Sequence, residues 1–203
     1  MTTIPAGPAA IEEAAAVLSA DGLVVVPTDT VYGLAVRGPR AGAAEVLAAA
    51  KRRPAEQAVA LLVGSVEQAQ EVAVFDERAR ALTEALWPGP LTLVVPRVSG
   101  RDWDLGGTPT TVGVRWPDQA FVAALARAAG PLAVTSANPH GEETAFTAEA
   151  AASSLGGSVD LVIDGGRCGG APSTVLDLVE AEARVLRAGA MPSNRISAVL
   201  SGA

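Results

Sequence analysis

Cysteine is almost absent from this 203-residue chain. The one present, Cys168, excludes an internal disulfide and any zinc site built from several cysteines, and it suits a reducing compartment such as the cytoplasm. Long apolar runs are missing as well: no stretch approaches the roughly 20 residues that a membrane span needs, so no membrane is expected among its partners. The first residues, Met1-Thr2-Thr3-Ile4-Pro5, are neither basic nor part of a long apolar run, and no secretory signal is read in them. Positive charge is scarce. A formal net charge of −7 and a pI near 4.7 exclude a surface that grips nucleic acid throughout, although a local basic pocket for RNA stays open. Charged residues make up only 18% and hydrophobic residues 49%, which excludes disorder and leaves one substantial core, read as a single domain over residues 1–203.

Within those bounds, helical and strand patterns alternate from end to end. Apolar runs or alternations between turn signals predict strands at 23–26, 58–63, 91–95, 111–115, 132–135, 159–163, 174–178 and 183–186. Between them, Pro8 opens a helix to about residue 20, and an alanine-rich helix spans 41–52. Ser65-Val66-Glu67-Gln68 is a capping box for a short helix, Asp76 caps another running to Trp87, Pro117-Asp118 opens one to Ala129, and Thr147 caps a further one. Crossovers of this kind imply parallel pairing, while the last two strands are close enough for a hairpin. The fold class is therefore α/β with a mixed sheet. Pro96 to Pro109 is the longest irregular stretch, and a loop of that size usually serves a site.

Polar residues gather where strands end. Thr28-Asp29-Thr30 follow one strand, Arg115 ends another, and Ser136-Ala137-Asn138 and Asp164-Gly165-Gly166 leave two more, which is where open α/β sheets bind ligands. Two rarities fall in the same neighbourhood: Lys51 is the only lysine and Tyr32 the only tyrosine. Where arginine fills every other strongly basic position, one retained lysine points to a site that wants a compact ammonium, as a triphosphate oxygen does.

Six ordered motifs then carry a resemblance: Pro27-Thr28-Asp29-Thr30-Val31-Tyr32-Gly33-Leu34, Lys51-x-Arg53-Pro54, Trp87-Pro88-Gly89-Pro90-Leu91-Thr92, Thr111-Val112-Gly113-Val114-Arg115, Thr135-Ser136-Ala137-Asn138 and Ser173-Thr174-Val175. Their order resembles that of the Sua5/YrdC/YciO family, in its short single-domain form. The resemblance implies a twisted open mixed sheet with flanking helices around a large concave cavity. It also implies an L-threonylcarbamoyladenylate synthase, a nucleotidyltransferase that makes threonylcarbamoyl-AMP and pyrophosphate from L-threonine, bicarbonate and ATP. Partner proteins would then transfer the threonylcarbamoyl group to tRNA.

By the same resemblance Lys51 and Arg53 are the catalytic cations. They would bind ATP together with Thr111, Ser136, Asn138, Thr144 and Arg187. Thr30, Arg115, Val134 through its main chain, and Ser173 would hold threonine. Magnesium would be held mainly by ATP phosphates, with no dedicated protein ligand. The chain departs from the family pattern at Gln57-Ala58-Val59, at Leu62, where some relatives place a histidine facing substrate, and at His140, read as a solvated loop residue. Cys168 is read as a structural or incidental thiol. Other readings are a double-stranded-RNA-binding module, a YciO-like paralogue without robust synthase activity, and the related domain of hydrogenase-maturation carbamoyltransferases, which are much longer and rich in zinc-ligating cysteines.

Overall fold

Ten short strands, most of them apolar on at least one side, join edge to edge into one sheet. In chain order they are β1 (Thr2–Pro5), β2 (Val24–Val26), β3 (Gly33–Arg37), β4 (Ala60–Leu62), β5 (Leu91–Pro96), β6 (Thr111–Arg115), β7 (Leu132–Ser136), β8 (Leu161–Asp164), β9 (Thr174–Asp177) and β10 (Arg184–Arg187). The computed structural model describes residues 1–52, 54, 56–100 and 103–202. The spatial order is β1-β8-β2-β3-β7-β4-β6-β5-β9-β10. Pairing is parallel for β1 with β8, β2 with β8, β4 with β6 and β5 with β9, and antiparallel elsewhere. The expected mixed sheet and the terminal hairpin of β9 and β10 are both present.

Among the described residues, seven α-helices flank the sheet: α1 (Pro8–Ser19), α2 (Ala43–Lys51), α3 (Val66–Gln70), α4 (Glu77–Leu86), α5 (Ala120–Ala129), α6 (Ala148–Leu155) and α7 (Ser193–Leu200). Their starts follow local chemistry. Ser65, Asp76 and Thr147 each accept a hydrogen bond from the backbone N–H three residues on, which satisfies a donor that the first turn leaves orphaned. The box at Ser65 is displaced by one residue, because the Gln68 side chain accepts from the Gly64 N–H at 2.7 Å. α5 begins at Ala120 and not at Pro117, since the Gln119 side chain supplies its cap by accepting from Val122 N–H at 3.0 Å.

Three elements escape the sequence pattern. β1 is a largely exposed edge strand with no apolar alternation, β3 starts inside what reads as a polar loop, and α7 follows Pro192 with little to announce it. The sheet splits the apolar residues into two cores. One holds Leu61, Leu93, Val112, Val114 and Leu176 with α2, α4 and α6; the other packs α1 and α5 against β2, Leu132 and Ile163.

Alternation along the strands does the rest. On the middle strands the residues between those core positions are small or polar: Ala60, Thr92, Thr111, Gly113 and Ser136. A Cβ added at Gly113 would meet Ala60 Cβ and Thr92 Cγ2 at ordinary contact distance, 3.6 Å, so the glycine leaves space over the sheet without being forced by crowding. Gly33 differs, because a Cβ there would lie 2.6 Å from Val134 Cγ1. One face of the central sheet is thereby hollow. The long loop after β5 closes over one side of it and is tied down: Val59 N–H donates to Leu105 O at 2.8 Å and Gly107 N–H to Glu56 O at 2.8 Å, with Trp103 and Leu105 buried beneath.

Candidate functional site

The hollow is a cavity of about 510 Å³, within the usual range for small-molecule sites. Thr30, Lys51, Thr111, Arg115 and Val134 line it, and so do Ser136, Asn138, Thr144, Ser173 and Arg187. Every described candidate therefore shares one chamber, and Arg53 lies outside the described residues. The chamber lies on the face of the sheet, and three of the four strand-exit groups reach it, through Thr28 and Thr30, through Arg115, and through Ser136 with Asn138. Asp164, Gly165 and Gly166, expected at such an exit, are absent from its lining among the described residues; they instead hold Tyr32, whose hydroxyl donates to Gly166 O at 2.7 Å and accepts from Gly165 N–H at 3.1 Å. Tyr32 is fully buried, which pushes its pKa up, and it acts as a structural pin.

Lys51 ends α2 and is only 3% exposed. Its ammonium donates to the main-chain oxygen of Ser136, to Ser136 Oγ at 3.1 Å and to Asn138 Oδ1 at 3.2 Å. The Lys51 carbonyl accepts from His140 N–H at 3.1 Å, so the loop leaving β7 is fastened to the end of α2 at both the side chain and the backbone. Asn138 Nδ2 donates onward to Glu142 O at 2.7 Å, fixing which way its amide points.

A second cluster is built on β6, β9 and β10. Arg115, 5% exposed, donates from Nε to Gly89 O at 3.0 Å, from Nη1 to Thr30 Oγ1 at 2.9 Å, and from Nη2 to Asp29 Oδ1. Thr30 is fixed in turn by Thr28, whose hydroxyl lies 2.9 Å from its own and accepts from the Thr30 and Val31 N–H groups. Arg187 donates through Nη2 to Ser173 O at 2.8 Å and Ser173 Oγ at 3.1 Å, and that hydroxyl pairs with Thr92 Oγ1 at 2.9 Å. Burial pushes the Arg115 pKa down, Asp29 opposes that, and repulsion from Arg187 adds to it; burial also lowers Arg187. Both remain cations in the physiological range. Among the described lining residues there is no carboxylate, so the chamber is fitted to anions.

Thr28, Gln57, Thr92 and His140 line the cavity too, though their motifs do not by themselves mark them as contacts. For Thr92 the signal is parity: it stands between the buried Leu91 and Leu93 on β5. Val134 pairs with Ala35 on one side and Ala60 on the other, so its main chain belongs to the sheet interior and its side chain turns over Gly33. Leu62 lines the chamber in register with Arg115, while exposed His140 sits at its rim. Cys168 is buried with a raised pKa, chiefly through burial, and does not line the chamber.

A family model for Sua5/YciO/YrdC proteins, described as "Telomere recombination", matches residues 16–189. The chain belongs to the Sua5/YciO/YrdC family. Among its relatives, a Mycobacterium leprae protein provisionally named threonylcarbamoyl-AMP synthase is 40% identical, over 94% of this chain and 87% of its own length. Of solved structures, Pyrococcus abyssi Sua5 complexed with L-threonine superposes with a TM-score of 0.94 at 33% identity, over 98% of this chain and 61% of that longer one. Escherichia coli YciO superposes with a TM-score of 0.84 at 26% identity, over 96% of this chain and 97% of its own. The Sua5/YciO/YrdC fold expected from the motifs is thus the observed one, and no helix among the described residues is long and apolar enough to cross a membrane.

Proposed function

We propose that this protein is an L-threonylcarbamoyladenylate synthase. The observation that carries the reading is the presence of two separately anchored cationic clusters, at Lys51 and at Arg115 with Arg187, facing one carboxylate-free chamber among the described residues. Two anionic substrates that must meet need such an arrangement, because their mutual repulsion has to be offset on both sides at once. The threonine named with the Pyrococcus abyssi relative and the synthase names of the bacterial relatives support the same assignment.

The chemistry divides between the clusters. Threonine's amine combines with carbon dioxide or bicarbonate to give a carbamate, and a carbamate oxygen attacks the α-phosphate of ATP, forming a P–O bond as the bond to pyrophosphate breaks. The reaction is adenylyl transfer, and it asks the protein for positioning and charge stabilisation with no covalent nucleophile. Lys51 serves the phosphates, with Ser136 and Asn138 exchanging their bonds to its ammonium for bonds to the nucleotide; Arg53 and Thr144 join that group, and Thr111 meets the nucleotide from β6. Arg115 has five N–H donors and spends three on its anchors, which leaves one on each terminal nitrogen for the substrate carboxylate. Thr30 and Ser173 lie beside it for the threonine hydroxyl, and Val134 offers apolar contact for the methyl. Arg187, bound to Ser173, would also serve the nucleotide. Magnesium would shield phosphate charge, entering with ATP and held by phosphate oxygens and water, since no lining residue among those described is a carboxylate.

The product is a reactive mixed anhydride, so proteins that pass its acyl group to tRNA would consume it, in the cytoplasm. With ATP, threonine, bicarbonate and magnesium, the purified protein is expected to release pyrophosphate only when threonine is present and to form a species of threonylcarbamoyl-AMP mass. Pyrophosphate release indifferent to threonine overturns the reading. The YciO-like alternative, suggested by the superposition on Escherichia coli YciO, predicts no such product. An RNA-binding module predicts salt-sensitive RNA retention without turnover, against which stand the net charge of −7 and an aromatic content of 3%.

A further inference from the structure

We propose that Asp29 is a positioning residue for amino-acid binding, holding the Arg115 guanidinium from behind so that its two remaining N–H groups face the substrate carboxylate; this rests on the synthase reading above. Asp29 does not line the main chamber. It borders a second hollow of about 370 Å³, shared with Trp87, Pro88, Gly89 and Arg195, and Arg115, which lines the main chamber, donates to both Gly89 and Asp29 of that second one. The Asp29 side chain is 13% exposed, and its Oδ1 accepts from Arg115 Nη2. Its Oδ2 is buried and accepts no hydrogen bond among the described residues.

The backbone around Asp29 is fixed with equal care. A Cβ on Gly169 would lie 2.5 Å from Asp29 O, so only glycine fits there, and Gly170 N–H donates to Thr30 O at 3.0 Å. The glycine-rich stretch thus sets where Asp29 stands, and Asp29 sets Arg115. Burial and repulsion from Arg187 both disfavour the charged guanidinium, and the Asp29 carboxylate opposes them. Asp29 touches no substrate in this scheme and acts through Arg115.

The test compares Asp29→Asn, which keeps an acceptor at Oδ1 and removes the charge, with Gly169→Ala, which keeps the charge and displaces it. In steady-state assays of the full chain, Asp29→Asn should raise the threonine KM by roughly 10- to 100-fold, the scale of a small misplacement of a binding group. Its ATP KM at saturating threonine should stay within about twofold. Gly169→Ala should shift the threonine KM in the same direction by less. Unchanged threonine KM in both variants overturns the inference, as does a fall in thermal stability with both KM values rising together. If Asp29→Asn does not fold, Gly169→Ala alone decides between the same outcomes. Wild-type protein lacking threonine-dependent pyrophosphate release overturns the synthase reading itself and this inference with it.

Discussion

The two faces of the central strands use the same backbone for opposite purposes. Toward the core, Leu61, Leu93 and Val114 are all but fully buried, whereas on the other face their immediate neighbours Ala60, Thr92 and Gly113 line the chamber. A period of two is enough to separate them. Close packing on one side supplies stability, and deliberate under-filling on the other leaves room for substrate, so the two demands are met by residues one position apart. Enzymes commonly trade stability against activity, and here parity along a strand decides which property a substitution reaches.

Four substitutions would break or sharpen that contrast. Lys51→Ala, on the chamber side, should lower kcat by about 10²- to 10³-fold, the cost of losing one charge-stabilising donor, measured as threonine-dependent pyrophosphate release. Leu93→Ala, on the core side, should cost about 2–5 kcal/mol in urea unfolding while the folded fraction keeps its threonine KM. A large change in that KM would show the faces to be coupled. Gly113→Val faces the chamber with contacts of ordinary length, so stability should change by less than about 1 kcal/mol while kcat/KM falls through lost volume.

The smallest effect lies far from both faces. Asp76→Ala should cost about 1 kcal/mol through loss of the α4 cap. Burial works against ionising Asp76, but the Ala79 N–H and the Arg78 guanidinium prevail and hold its pKa below the ordinary value. A depressed carboxylate pKa stabilises the fold above the unfolded-state pKa and stops doing so as pH falls through the folded one. The difference between wild type and Asp76→Ala should therefore be full at neutral pH and shrink under acid, with chemical denaturation across pH as the measurement.

Much of this was legible in the chain itself. Thr111-Val112-Gly113-Val114-Arg115 spells its two faces in plain alternation, and Ser65, Asp76 and Thr147 announce their helices because capping is a local interaction. Which face would be hollow was not legible, since that depends on strands brought together from residues 33 to 176. The rule placing ligands at strand exits describes parallel sheets, but β7 runs antiparallel to both β3 and β4, so neighbouring strands here end at opposite edges while sharing a face. Asp164-Gly165-Gly166 misleads because β8, although parallel to β2, lies beyond it on the side of the sheet away from the hollow strands, while Thr92, in mid-strand, reads only as part of a motif. Asp29 was visible as a polar residue, yet its bond to Arg115 joins positions 86 apart in sequence.

The resting bonds of Lys51 carry one last implication. Its ammonium already rests among the Ser136 and Asn138 oxygens, so an incoming anion must displace established partners before it gains anything. A lone chloride offers too little in exchange, whereas a chain of phosphates presents several oxygens together and can pay back each bond it breaks. On the synthase reading, the resting bonds of Lys51 would thus favour a polyphosphate over a simple anion.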